Sequence, residues 1–308
     1  MSNGAVLSIS EKPGNPTGYI ILIGAIVGVN YALAKLVMQA GVTALSATLM
    51  QMLVAGLFLY LLLHYKQEKI FLRLRHIRYY LLNGFLGVTI PSLVAYIALQ
   101  HIPAWLLTVM TTLSPMVTAA LSSVLERKLI APQRLFGISL GLIGISLATL
   151  SGAQVAHFDP KWILVGAGMP LSLAISNIYR NKAYPTDTSP IATAAGTLFS
   201  QVLLLAPALL LLDSLTNVVE PLQSIWWVLL TIGFLSAGSF ALTFFIQSRT
   251  DSVGFSQVGY FATVSGILVA AIAFKEPVSI TIFASIAVLF LGLALTNGHV
   301  QFPRSRLR

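Results

Sequence analysis

The chain has 308 residues, of which 56% are hydrophobic and only 9% charged, with no cysteine and a formal net charge of +9. A soluble domain carries about 25% charged residues, so this composition names lipid as the solvent. The absence of cysteine excludes a disulfide scaffold, a thiolate nucleophile and a cysteine-ligated metal, and the basic residues fall in loops between apolar runs, which makes the positive balance a matter of membrane topology and not of nucleic-acid binding.

Residues 1–17 are polar, hold Pro13 and Pro16, and are expected to form a flexible cytoplasmic N-terminus. Ten apolar runs follow, near 18–40, 43–64, 79–99, 104–124, 133–150, 162–182, 190–212, 224–247, 252–274 and 278–297. A span needs roughly twenty apolar residues to cross a hydrocarbon core of about 30 Å. The first run is too long for a signal-peptide core and has no evident cleavage site behind it, so it is expected to stay as a span. Lipid admits only helices or closed barrels. Barrel strands would be about ten alternating residues; these runs are longer and uniformly apolar, so the expected fold is all-α, with ten transmembrane helices.

Orientation follows from Lys and Arg. With the N-terminus in the cytoplasm, all of the 18 basic residues except Lys35, Lys161 and Lys275 fall on the inner side, including Arg73, Arg75, Arg180 and the basic tail 299–308. An even number of spans puts both termini inside.

The chain also repeats itself. Asn30 and Lys35 recur as Asn177 and Lys182, 147 residues on. Thr89, Ser92 and Gln100 recur as Ser236, Ser239 and Gln247 at the same offset, Glu126 as Glu276 at 150, and Gly144 as Gly292. Three blocks in one order at nearly one offset argue for duplication. Five spans per half is an odd number, so the second half (160–298) is expected upside down relative to the first (18–152), the inverted-repeat design of many secondary transporters, whose solute site lies near mid-membrane where the halves meet.

The stretch "GFLGVTIPSLVAYIALQHIPAWLLTVMTTLSPMVTAALSSVLERKL", followed by "GISLGLIGISL", resembles the EamA-like group of the drug/metabolite transporter superfamily. So do "GVNYALAKL" in the first span and "FKEPVSITIFASIAVLFLGLAL" in the second half. The resemblance implies ten helices in two inverted five-helix halves, export of amino acids and other small metabolites, and a cavity lined mainly by helices one, three, four, six, eight and nine. Two positions depart from the pattern. Gln51 stands where the family often has an Arg, and no proline in the second half matches Pro115.

Each polar residue in a span has a structural and a functional reading. Glu126 and Glu276 end spans beside basic residues, which hold a carboxylate ionised and make it a poor proton carrier; salt bridge or helix cap is preferred to gate. A charge inside a span is costly, but Lys35 lies near the outer end and can snorkel to the interface. Thr89, Ser92, Tyr96 and Gln100 trace one helical face. In the fourth span the hydroxyls of Thr108, Thr111, Thr112, Ser114, Thr118 and Ser122 serve as interhelical glue or line a path, and Pro91 and Pro115 free backbone carbonyls beside them. The expected solute contacts are Asn30, Ser92, Tyr96, Thr111, Thr112, Asn177, Ser239, Gln257 and Tyr260. Lys35, Pro91, Pro115, Glu126 and Glu276 are expected to act in structure or gating. Trp105, Trp226 and Trp227 read as interface anchors.

No G-x-S-x-G, H-E-x-x-H, deep acidic pair or phosphate loop occurs, so neither enzyme nor intrinsic ATPase is expected, and no cofactor or metal. The sequence therefore predicts a secondary transporter in the bacterial inner membrane, an exporter or facilitator of an amino acid, with a small solute and the bilayer as its partners. Exchange of phosphorylated or nucleotide-linked sugars is the alternative in transport; it needs cavity cations, for which only Lys35 stands out. A membrane scaffold or receptor is the alternative outside transport.

Overall fold

The computed structural model describes residues 16–127, 129–156, 159, 161–212, 215–247, 258–275 and 279–296. Among them there is no strand. The helices are α1 (Pro16–Gln39), α2 (Ala44–Lys66), α3 (Leu74–Leu99), α4 (Ala104–Leu125), α5 (Pro132–Ala156), α6 (Lys161–Ala183), α7 (Pro190–Leu212), α8 (Leu215–Gln247), α9 (Val258–Phe274) and α10 (Ile280–Thr296). Eight are long and apolar enough to cross a membrane; α9 and α10 are apolar helices of 17 residues, about 26 Å of rise. Their surfaces suit lipid: Leu203, Leu211, Phe234, Leu268 and Ile272 are all largely exposed. The chain is an integral membrane protein.

Helix α3 begins at Leu74, earlier than hydropathy places it, because its first turns are amphipathic. His76, Tyr79 and Tyr80 turn inward while Arg73 and Arg75 stay exposed. Charged side chains with long apolar stems lower hydropathy without ending a helix. These arginines and Lys66 mark one end of the bundle, called here the basic end; α1 starts there too, since Tyr19 and Lys66 line one crevice.

The first five helices pack chiefly on the last five. Helix α1 lies against α8 and α9, α2 against α7 and α8, α3 against α6 and α7, α4 against α6 and α9, and α5 against α10. In a bilayer such contacts depend on close van der Waals approach, which small residues permit. Gly28 meets α9 so closely that a Cβ there would lie 2.5 Å from Gly266 N and 2.6 Å from Ala262 O. At the α5–α10 seam a Cβ on Gly144 would lie 2.6 Å from Leu289 N.

Two prolines set the shape of the interior. In α3 the turn Phe85–Thr89 is a π-helix, and the Ile90 N–H reaches Phe85 O. That shift strands Leu86 O, because the next donor along the chain would be Pro91, which has no N–H. Ser172 Oγ of α6 donates to Leu86 O at 2.6 Å and satisfies it. In α4 the helix is interrupted at Thr112, three residues before Pro115, with the Thr112 N–H on Val109 O at 3.2 Å. A proline ring clashes with the carbonyl four residues back, and the break follows.

Trp105 is fully buried and not at the interface. Helix α4 is the most enclosed of the spanning helices, so its first turn meets protein where a peripheral helix would meet lipid. Trp226 and Trp227, on the outer face of α8, are more than half exposed.

Candidate functional site

Helices α1, α2, α3, α4, α6, α8 and α9 enclose a cavity of about 210 Å³. That is below the roughly 300–1,000 Å³ of pockets for drug-sized ligands, so a small solute fits. Its wall is largely apolar, with Ile23, Val27, Val88, Leu173, Phe240 and Val258.

Of the residues expected to meet a solute, Asn30, Ser92, Tyr96, Thr111, Asn177 and Ser239 line this cavity, and so do Pro91 and Pro115. Two pairs at the 147-residue offset, Asn30 with Asn177 and Ser92 with Ser239, thus converge from four helices on one space. Two expected contacts lie elsewhere. Thr112 is fully buried outside the lining, and its hydroxyl donates back to Val109 O at 2.6 Å. The Tyr260 ring turns to α10 and packs edge-on against Phe290, 4.9 Å between centroids. Gln257 and Glu276 lie outside the described residues. Glu126 is exposed at the C-terminal cap of α4.

Most α4 hydroxyls are satisfied within their own helix. Thr108 donates to Trp105 O at 2.7 Å, Thr111 to Leu107 O at 3.1 Å, and Thr118 to Ser114 O at 2.7 Å. Such back-bonding removes the cost of a hydroxyl in lipid without engaging a partner helix. Lys35 does not enter the cavity. Its Nζ donates to Ile102 O at 2.7 Å, in the corner between α3 and α4 at the end opposite the basic one.

Among the lining residues that were not expected contacts, three define the polar chemistry of the wall: Gln51, Tyr31 and Arg180. Gln51 is the hub of a network joining both halves: its Oε1 accepts from Tyr96 OH at 3.0 Å, and its Nε2 donates to Ser236 Oγ at 2.8 Å. Asn30 Nδ2 also donates to Ser236 Oγ, at 3.2 Å, and Asn30 Oδ1 is buried with no hydrogen-bond partner among the described residues. Tyr31 OH lies 3.3 Å from Thr111 Oγ1. Arg180 is the third. The charge count treated it as a loop residue, yet it is 6% exposed and lines the cavity. Its Nε donates to Asn83 Oδ1 at 3.0 Å, its Nη2 to Ser176 Oγ at 3.1 Å, and its guanidinium lies over the Phe244 ring at 5.2 Å. The expectation of Lys35 as the cavity cation is corrected here: Arg180 holds that place. The sequence did hold a signal, since Arg180 is three residues beyond Asn177 and shares its helical face.

At the basic end the first turn of α3 and the α2–α3 connection are tied to the α6–α7 connection. Asp187 accepts from Arg75 at 2.6 Å and faces buried His76 Nε2 at 3.0 Å, and Ser189 donates to Glu68. Desolvation works to raise the Asp187 pKa, but hydrogen bonding to His76 and the charge of Arg75 outweigh it and hold the carboxyl below the ordinary aspartate range. Among the described residues no group of three His, Asp or Glu could hold a metal.

The EamA-like transporter family model matches residues 17–150 and again 160–298. The chain belongs to the EamA-like transporter family, within the drug/metabolite transporter superfamily. Among solved structures, one titled "Crystal structure of protein" is similar with a TM-score of 0.64 at 16% identity, over 93% of this chain and 99% of that one, a likeness of fold. No curated protein matches the chain.

Proposed function

We propose that this membrane transporter is a secondary carrier that moves a small metabolite, an amino acid first among candidates, by alternating access between two inverted five-helix halves, 18–152 and 160–298. One observation carries the reading: polar residues at repeat-related positions, Asn30 with Asn177 and Ser92 with Ser239, line a single cavity between the halves. Solute sites of inverted-repeat carriers lie at such an interface.

The packing supports the same symmetry. Exchanging each helix with the one five places on turns α1 on α9 into α6 on α4, α1 on α8 into α6 on α3, and α2 on α8 into α7 on α3; it leaves α2 on α7, α4 on α9 and α5 on α10 unchanged. All of these contacts occur. The charge distribution supports cytoplasmic termini in a bacterial inner membrane. Motion follows the solute gradients, since no carboxylate lines the cavity among the described residues.

Counterflow tests the proposal. Vesicles containing the purified protein are loaded with pooled unlabelled amino acids, and entry of the labelled pool is followed beside empty vesicles and an Asn30→Ala variant. Uptake above empty vesicles and lost in the variant is the expected result. No uptake from folded, inserted protein would remove amino acids as solutes.

A further inference from the structure

The two ends of the bundle are sealed by different chemistry. At the end opposite the basic one the seal is apolar: Val37, Leu99, Ile102, Leu106 and Val228 are buried in one cluster. At the basic end it is polar. His76, Tyr79, Tyr80 and Asn83 stand at i, i+3, i+4 and i+7 on one face of α3, and all four are fully or almost fully buried. That face is pressed on the second half of the chain. Tyr79 stacks on Tyr179 of α6, 5.9 Å between centroids, and meets Tyr184 edge-on at 6.0 Å. A Cβ on Gly196 of α7 would lie 2.6 Å from the Tyr80 ring. The polar column runs from the surface to the cavity: exposed Asp187 faces His76, and Asn83 Oδ1 accepts from Ser176 and from Arg180, which lines the cavity.

Closing this seam strands polar groups. His76 Nδ1, Tyr79 OH, Asn83 Nδ2 and, on α7, Thr197 Oγ1 are buried without a hydrogen-bond partner among the described residues. A group so placed gives up its hydration and receives no bond in exchange. Water entering the seam would satisfy all four, whereas the side chains of the apolar cluster gain nothing from water. Against that gain stand the contacts at the surface, Asp187 with Arg75 and His76, and Ser189 with Glu68. Resting on the carrier reading above, we infer that this seam is the gate of the cavity at the basic end. There α3 parts from α6 and α7, the face of His76, Tyr79, Tyr80 and Asn83 becomes the wall of the passage, and the contacts of Asp187 and Glu68 are its latch. The unpartnered groups raise the energy of the closed state, and the latch offsets them.

The test needs no solute. Thr197→Cys places one thiol inside the seam of a chain with no other cysteine, and Ala148→Cys places one, equally buried, on α5 away from it. Labelling rates with a water-soluble maleimide are measured on purified full-length protein, with and without Asp187→Asn. Slow labelling is expected at both positions while the latch is intact. When Asp187→Asn removes it, the rate should rise about tenfold at Thr197→Cys alone, the effect of one hydrogen bond to a charged group on a local opening. Tyr79→Phe, which deletes an unpartnered hydroxyl and keeps the ring, should act in the opposite direction, with slower labelling of Thr197→Cys and a higher unfolding midpoint. A packing role alone predicts no change in labelling. An unchanged rate at Thr197→Cys without the latch, an equal rise at Ala148→Cys, or a Tyr79→Phe protein that labels no more slowly or unfolds at a lower temperature would each overturn the inference. Should Asp187→Asn fail to fold, Glu68→Ala breaks the other latch contact and is read in the same way. Counterflow separates the gate from the carrier: uptake by a protein whose seam never opens to label keeps the carrier and removes this gate, whereas a seam that opens on loss of the latch, without uptake, keeps the moving part and removes the carrier.

Discussion

Helices α1 and α6 carry the same marks, Asn30 and Lys35 in one, Asn177 and Lys182 in the other, and their surroundings differ. Gly28 of α1 is pressed against α9, whereas Ile175, 147 residues on, is 40% exposed to lipid. Leu33 of α1 corresponds to Arg180 of α6, the cavity's cation. Likewise Gln51 of α2, the hub of the polar network, corresponds to Leu198 of α7, which is 1% exposed in an apolar cluster. The two stretches that match the family model share a pattern of helix contacts and differ in chemistry. The cavity thus has a neutral hydrogen-bonding side, at Gln51 and Tyr96, and a side with a basic residue, at Arg180.

The largest expected effect breaks the packing side of this comparison. Gly28→Val should destabilise the fold by about 1–3 kcal/mol through overpacking, whereas Ile175→Val at the matching position should stay within about 0.5 kcal/mol, as an exposed change does. Unfolding midpoints in detergent decide it, and similar losses at both positions would remove the asymmetry. Gln51→Leu comes next. It strands Tyr96 OH and takes a donor from Ser236, each worth about 1 kcal/mol as a hydrogen bond, so uptake should fall about tenfold with folded yield retained; normal uptake would make the network a packing feature.

Ser172→Ala sharpens the account of α3. It leaves Leu86 O without its donor and should cost about 1–2 kcal/mol. Replacing Pro91 with Ala restores an N–H, so the Ser172→Ala penalty should shrink in the Pro91→Ala background, a coupling read by a double-mutant cycle. The smallest effect is expected at the basic end. A carboxyl with a lowered pKa adds stability above its unfolded pKa and loses it as pH falls through the folded value. The midpoint difference between wild type and Asp187→Asn should therefore be present at pH 6 and close below about pH 4, the ordinary aspartate range. A difference that persists at pH 2 would contradict the assignment.

Much of the fold is legible in the sequence because lipid leaves few choices: apolar length gives the helices, and an offset shared by Asn30, Ser92 and their mates points to the duplication. The site was most legible where two copies agreed, at Asn30 with Asn177 and Ser92 with Ser239, while Tyr96 and Thr111 were reached from the polarity of their spans alone. Thr112 and Tyr260 fell on faces that hydropathy does not distinguish from the cavity face, because every face of such a helix is apolar. Trp105 was misread because aromatic position alone does not tell a central helix from a peripheral one. Arg180 was hidden by the rule that set the topology, which treats an Arg near a span end as a loop charge even when Asn83 and Ser176 hold it inside.

The most direct test of the central claim, that both halves contribute matched residues to one cavity that a polar solute can enter, uses the natural lack of cysteine. Single cysteines at Asn30, Ser92, Asn177 and Ser239, and a control at Ile175, would be challenged in native membranes with a water-soluble thiol reagent. Labelling at all four positions with an inert Ile175→Cys is predicted. Four unreactive positions, or reaction confined to one half, would contradict it.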